Sequence, residues 1–323
     1  MKRIAREQAT ICEIDRRLLP VITVKPGEQF IIETEDASAG YIRDEHVLPY
    51  PDKRPTHSAT PPLVNPVAGP VYIEGVEKGD VVVVTIERIV PDTQGYTILQ
   101  PGEGLLGDSL KYRTTTEYFT HIFRHVPGQS GTFTDGVCIF KDTIRWHLVP
   151  HIGTICCAPE REVPSSLTIQ GVYGGNLDCR DFCECSRLHL ASRVEGGLLF
   201  IGDVHGSQGD GELTGTANEI RAEVTLSCEV FKKKSIPFVR IEKEHSLIGL
   251  SCDKPLEYAV KGAVLNLLEW MIEDFCFDER DAYILLGTCP DMRIHIYQMV
   301  NIPGLLYTAG AEIPKKYLNY SSA

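Results

Sequence analysis

The chain has 323 residues, 43% apolar and 24% charged, with a formal net charge of −12 at pH 7. That is the composition of a globular protein with a large core, and the acidic balance argues against nucleic acid or an anionic membrane, since both require a basic face. No apolar run approaches the ~18 residues of a membrane span, and Met1-Lys2-Arg3 leads into no apolar signal region. The eleven cysteines, an odd number, read as reduced thiols of a cytoplasmic protein rather than a disulfide framework.

In chain order, Val21–Val24 and Phe30–Thr34 flank Pro26-Gly27 and are expected to be paired strands joined by a turn. Residues 44–70 are proline-rich without a sustained period, which suits a stiff loop or lid forming a cavity wall. Val71–Gly75, a turn at Glu77–Asp80 and the β-branched run Val81–Ile86 follow as strand, turn and buried strand. Gly197–Asp203 and Ala222–Phe231 are further strands. In the latter, Val224, Leu226, Cys228 and Val230 alternate with polar neighbours. No helix of ordinary length is expected before about residue 250, so the fold class is mainly β, a sandwich or barrel-like sheets.

The pattern then changes. Leu256, Val260, Ala263, Val264, Leu267, Leu268, Met271 and Phe275 recur at helical spacing. Asp278 opens a second, short helix ending near Gly287, and Met292–Val300 alternates as a strand. The expected division is an N-terminal β domain with the proline-rich loop (1–145), a second β segment carrying the site motifs (146–235), and a small α+β unit (236–323).

The chemistry concentrates in Gly202–Glu212, where Asp203, His205, Gln208, Asp210 and Glu212 are interleaved with four glycines after an apolar run. Asp203 and His205 project to one side of an extended backbone, and a carboxylate with an imidazole suits a cation such as Zn²⁺. Gly206, Gly209 and Gly211 allow a turn that returns Gln208, Asp210 or Glu212 toward them. A second cluster, Tyr173-Gly174-Gly175-Asn176-Leu177-Asp178, combines a close-approach glycine pair with Asn176 and Asp178 on one side. Asp36 ends the strand through Glu33 and Thr34.

These segments resemble the acetamidase/formamidase family. Asn65–Asp80 is similar to its "NPATGPVYVEGAEPGD", Ile152–Glu160 to "IGVIGVAPE", Gly174–Asp178 to "GGNMD", and Gly202–Glu212 to "GDxHAxQGDGE", in the family's order. The resemblance implies hydrolysis of a small aliphatic amide to a carboxylic acid and ammonia, a homodimer or higher homo-oligomer, and a divalent metal, zinc ahead of calcium. Asp36, Asp178, Asp203, His205, Gln208, Asp210 and Glu212 fall on the family's motif positions, and the mechanism expected from these residues has Asp178, Asp203 and His205 as metal ligands. Glu212 would be the proton-transfer group, with Asp36 orienting the amide or completing the metal shell. Asn176, Gln208 and Asp210 would bind substrate. Two departures stand out: Tyr173 where many members have histidine, and Ile42–Pro55, which puts substrate choice in doubt. Two rival readings remain open at this stage, a cysteine-nucleophile amidase using Cys156 or Cys157 and a β protein that binds a metal or small ligand without turnover. Cys179, Cys183 and Cys185 lack paired CxxC spacing and read as free thiols.

Overall fold

The computed structural model describes residues 1–51, 63–133 and 135–319. Among them, two large sheets carry the fold, one of nine strands and one of eleven. In the nine-stranded sheet the long strand Val81–Pro91 lies between Ala222–Phe231 and Arg187–Ala191, antiparallel to both. In the eleven-stranded sheet Leu199–His205 pairs with His151–Cys157, with Val67–Ile73 and, at its end, with Glu219–Ile220.

The two sheets share one core. Val82, Val84 and Ile86 pack with Leu199, Ile201 and Ile152 of the other sheet, and Val224, Leu226 and Cys228 add the inward face expected of their strand. The four-valine run is buried on both sides: Val81 and Val83 meet Ala191 and Ile236 on the opposite face. A strand covered on both faces carries no alternation, and β-branched side chains fill it well.

Two sequence expectations need correction. Ile22–Val24 and Phe30–Thr34 are strands but not partners. The first runs parallel to Val67–Ile73 in one sheet, and the second pairs with Lys2–Ile4 and Ala222–Phe231 in the other. The Pro26-Gly27 turn carries the chain between sheets, and the Gly27 N–H donates to the Cys228 carbonyl rather than closing a hairpin. Turn chemistry fixes the reversal of the chain but not the sheet that receives it. Of the proline-rich stretch 44–70, residues 52–62 lie outside the described residues. Residues 67–70 are not loop but the start of the strand Val67–Ile73, buried between two neighbours.

Among the described residues the first α-helix is α1, Leu256–Phe275, followed by α2, Glu279–Thr288, whose N-cap Asp278 accepts from the Arg280 N–H. The buried stripe of α1 is Ala259, Ala263, Asn266, Leu267, Trp270 and Met271. Val260, Val264 and Leu268 are only half-buried. Two contacts rotate the helix. Its backbone crosses the sheet at Gly249, where a Cβ would lie 2.6 Å from the Leu267 nitrogen. The buried Arg240 guanidinium also draws Asn266 inward through a 2.9 Å hydrogen bond. The C-terminal strands Ser246–Asp253, Tyr307–Pro314 and Arg293–Gln298 extend the nine-stranded sheet. No helix among the described residues is long and apolar enough to cross a membrane.

Candidate active site

Three neighbouring strands assemble the site. His151–Cys157 lies between Gly174–Asn176, with Thr154 opposite Asn176, and Leu199–His205, with His151 opposite His205. Glu219 stands opposite His205 on the next strand. Asp178 follows its strand by two residues, so the two glycine-rich motifs, some 25 residues apart, meet across one strand. Gly153 makes the meeting fit. A Cβ there would lie 2.8 Å from Asp203 Oδ2 and 2.9 Å from Asp178 Oδ1.

Asp178, Asp203 and His205 offer ligand atoms that all lie within 4.8 Å of one another, and His205, Glu212 and Glu219 form a second such group. All five side chains are buried. His205 Nε2 is 3.3 Å from Glu219 Oε2 and 3.6 Å from Asp203 Oδ1. Asn65 Nδ2 donates to Asp203 Oδ2 at 2.9 Å, and the Thr154 hydroxyl reaches the same oxygen at 3.3 Å.

The far side of the imidazole is fixed by Gln208. Its Nε2 donates to the carbonyls of Asp178 and Tyr297, both at 2.8 Å. Its Oε1 therefore faces His205 Nδ1, 2.9 Å away. An acceptor at Nδ1 places the ring proton there and turns Nε2 toward the carboxylates, the support that ligating histidines commonly have. His151 Nε2 joins this group 3.3 Å from His205 Nδ1, and burial, then the neighbouring His205 charge, lowers its pKa to about 4.

The remaining sequence-selected residues are placed differently. Asn176 is committed at both ends, its Oδ1 accepting from Thr154 and its Nδ2 donating to the Leu167 carbonyl. Asp210 is exposed and ion-paired with Arg180 at 2.9 Å. Asp36 Oδ1 accepts from the N–H groups of Ser38 and Gly40, each at 3.0 Å. That turn presents the Ala37 carbonyl to the Asn65 N–H, so Asp36 reaches the cluster through Asn65. Burial raises the Asp36 carboxyl from 3.8 to about 6. A raised folded-state pKa contributes stability that is fully present below pH ~4 and is lost as pH rises through ~6, on the order of 3 kcal/mol in all. Urea unfolding of Asp36→Asn between pH 4 and 7 is expected to lack that component. An unchanged pH dependence would refute the assignment.

Electrostatics set the cluster apart. Burial, then the Asp203 charge, raises Asp178 well above the carboxylate range; burial, then Asp178, does the same for Glu212. Burial opposes protonation of His205, but Glu219 and Asp203 together outweigh it and raise its pKa well above the usual value. Four carboxylates thus surround one imidazole, and the buried Oε2 of Glu212 has no hydrogen-bond partner. Such a charge set is costly to bury without a compensating cation. The backbone is strained at the same places: Asn65, Asp178, Asp203 and Glu212 have φ of 54°, 44°, 53° and 46°. Left-handed non-glycine residues cost of order 1 kcal/mol or more and gather where a site over-determines them.

The cluster forms one wall of a cavity of about 890 Å³. Cys156 and Cys157 are elsewhere. Cys156 packs with Phe200 and Ile169, Cys157 with the inter-sheet core. Burial raises both thiols, Cys157 to about 12. Sequence reasoning missed Glu219, Asn65, Thr154 and His151 as members of this constellation. Asn65 and Thr154 sit inside the quoted motifs and were legible there, whereas Glu219 is visible only through its cross-strand pairing.

The family model for the Acetamidase/Formamidase family matches residues 15–171 and 167–318. The chain belongs to this family. Its fold matches the crystal structure of an acetamidase from Yersinia enterocolitica with a TM-score of 0.85 at 31% identity, covering 98% of this chain and 92% of that one. An acetamidase structure from Bacillus halodurans matches with a TM-score of 0.84 at 28% identity over 98% of both chains. In sequence the chain is 25% identical to a formamidase of Methylophilus methylotrophus over 365 residues, 90% of this chain and 85% of that protein. This acetamidase/formamidase chain therefore has relatives across nearly its whole length.

Proposed function

We propose that the chain hydrolyses a carboxamide to a carboxylic acid and ammonia at the cluster around His205. The observation that carries the reading is the convergence of Asp178, Asp203, Glu212 and Glu219 on one oriented imidazole at a cavity wall. The names of the relatives, acetamidase and formamidase, support the reaction class.

The donor set fits a divalent metal: four buried carboxylates share a single imidazole as their counter-charge, Glu212 Oε2 has no hydrogen-bond partner, and Gln208 leaves His205 Nε2 facing the carboxylates. Asp178, Asp203 and His205 would hold it. The imidazole among the donors favours zinc over calcium, which prefers an all-oxygen shell. When bound, such an ion polarises the amide carbonyl and lowers the pKa of water toward ~7. The chain's own residues supply the rest. Glu212, with a free buried oxygen, takes a proton from the attacking water and delivers it to the departing nitrogen, a role worth typically ~10²–10⁴-fold. Asn65 holds Asp203, Gln208 holds His205, and Asp36 holds Asn65 through the 36–40 turn.

A cysteine nucleophile needs a thiolate beside a base, and the burial of Cys156 and Cys157 argues against one. Ammonia release from formamide and acetamide is expected to stop on chelation, return with Zn²⁺ and survive a thiol-blocking reagent. Loss to the thiol reagent alone would favour the cysteine route. Stoichiometric metal binding with no ammonia from any amide would favour a non-catalytic binding protein. A homo-oligomer and a reducing, cytoplasmic setting complete the reading. The free state of all eleven cysteines supports the reducing setting.

A further inference from the structure

Acetamide has four heavy atoms, yet the cavity is about 890 Å³, within the ~300–1,000 Å³ range that encloses drug-sized ligands. Away from the cluster its wall is mostly apolar, with Val64, Ile98, Leu167, Val300, Ile302 and Leu305 set among the polar Gln100, Thr168, Thr216 and Asn301. A substrate of one or two carbons leaves that wall wet and gains nothing from it. An acyl chain lying along it gains about fourfold in binding for each methylene fully buried, and such remote binding can be used at the reacting carbonyl.

The wall also holds one cation. Among the described residues that line the cavity, Lys254 is the single basic side chain besides His205. It is half-buried, its Nζ lies 4.6 Å from the Tyr307 ring centroid, and among the described residues no carboxylate pairs with it. Asp253 accepts from its backbone N–H, not from its ammonium group. Glu103, the one acidic group of the wall outside the cluster, is held by Gln100 at 2.6 Å. A half-buried lysine that lines the cavity and has no carboxylate partner among the described residues suits an anionic group carried in on the ligand.

We infer that the physiological substrate is a primary amide with an extended apolar acyl chain ending in an anion, the monoamide of a dicarboxylic acid, with Lys254 as the group that recognises its far carboxylate. This rests on the amidase reading above. The reaction is the same: the water oxygen bonds to the carbonyl carbon, the C–N bond breaks, and nitrogen leaves with the water proton as ammonia. The distal carboxylate is unchanged.

Initial rates with acetamide, hexanamide and the monoamide of adipic acid test this in the wild type, Lys254→Met and Lys254→Arg. The wild type is expected to show kcat/KM at least tenfold higher for hexanamide than for acetamide, and higher again for the adipic monoamide. Lys254→Met is expected to lower the ratio of adipic monoamide to hexanamide about tenfold, and Lys254→Arg to restore most of it. Because the ratio is taken within one protein, partial misfolding cancels. Acetamide as the best substrate, or a ratio unchanged in Lys254→Met, overturns the inference while leaving the amidase reading intact. No ammonia from any amide, formamide included, overturns both.

Discussion

Glu212→Gln is expected to lower kcat by about 10²–10⁴-fold while making the metal-free protein more resistant to heat. The two effects share one cause. Glu212 is a buried carboxylate whose Oε2 has no partner and whose pKa is raised by burial and then by Asp178. The glutamine amide is isosteric, permanently uncharged, and can donate to Asp178, so the contact between the two side chains no longer depends on a bound proton. It cannot accept and return a proton, so turnover falls. Steady-state ammonia release and calorimetry of the metal-free variant measure the two sides. Near-normal turnover would remove Glu212 from proton transfer, and a lowered melting temperature would show that its charge is not a burden on the fold.

His205→Ala has the opposite stability signature. It removes the one group that compensates Asp203 and Glu219, 3.6 and 3.3 Å away, and leaves buried carboxylates facing each other. Breaking a buried pair from one side typically costs ~3–5 kcal/mol, and the variant also loses a ligand. The expected result is a clear drop in the urea midpoint together with loss of bound zinc and of activity. Retained zinc at wild-type stoichiometry would show that the imidazole lies outside the coordination shell.

Much of this site was legible in the sequence because its donors travel in glycine-marked segments. Gly174, Gly175 and the run Gly202–Glu212 announce close backbone approaches, and Gly175 does pass within Cβ-clash distance of the Ile169 carbonyl. Convergence on Glu219 was not legible, because it depends on the antiparallel register that sets Glu219 opposite His205, and no local pattern encodes register between distant strands. The roles of Gln208 and Asn176 were hidden for a related reason. An amide side chain looks alike in sequence whether it meets substrate or backbone carbonyls, and here both amides are spent inside the protein. Similarly, the alternation in Ala222–Phe231 and the helical period of α1 gave their elements directly. The partners of Ile22–Val24, and the rotation of α1 onto Gly249, came from long-range packing.

Diffraction from crystals of the zinc-loaded protein, measured on both sides of the zinc absorption edge, bears most directly on the shared cation. The account predicts an anomalous peak among the carboxylates of Asp178 and Asp203 and Nε2 of His205, at ligand distances of ~2.0–2.2 Å. A map with no peak there, or with zinc held only by exposed side chains, would contradict it.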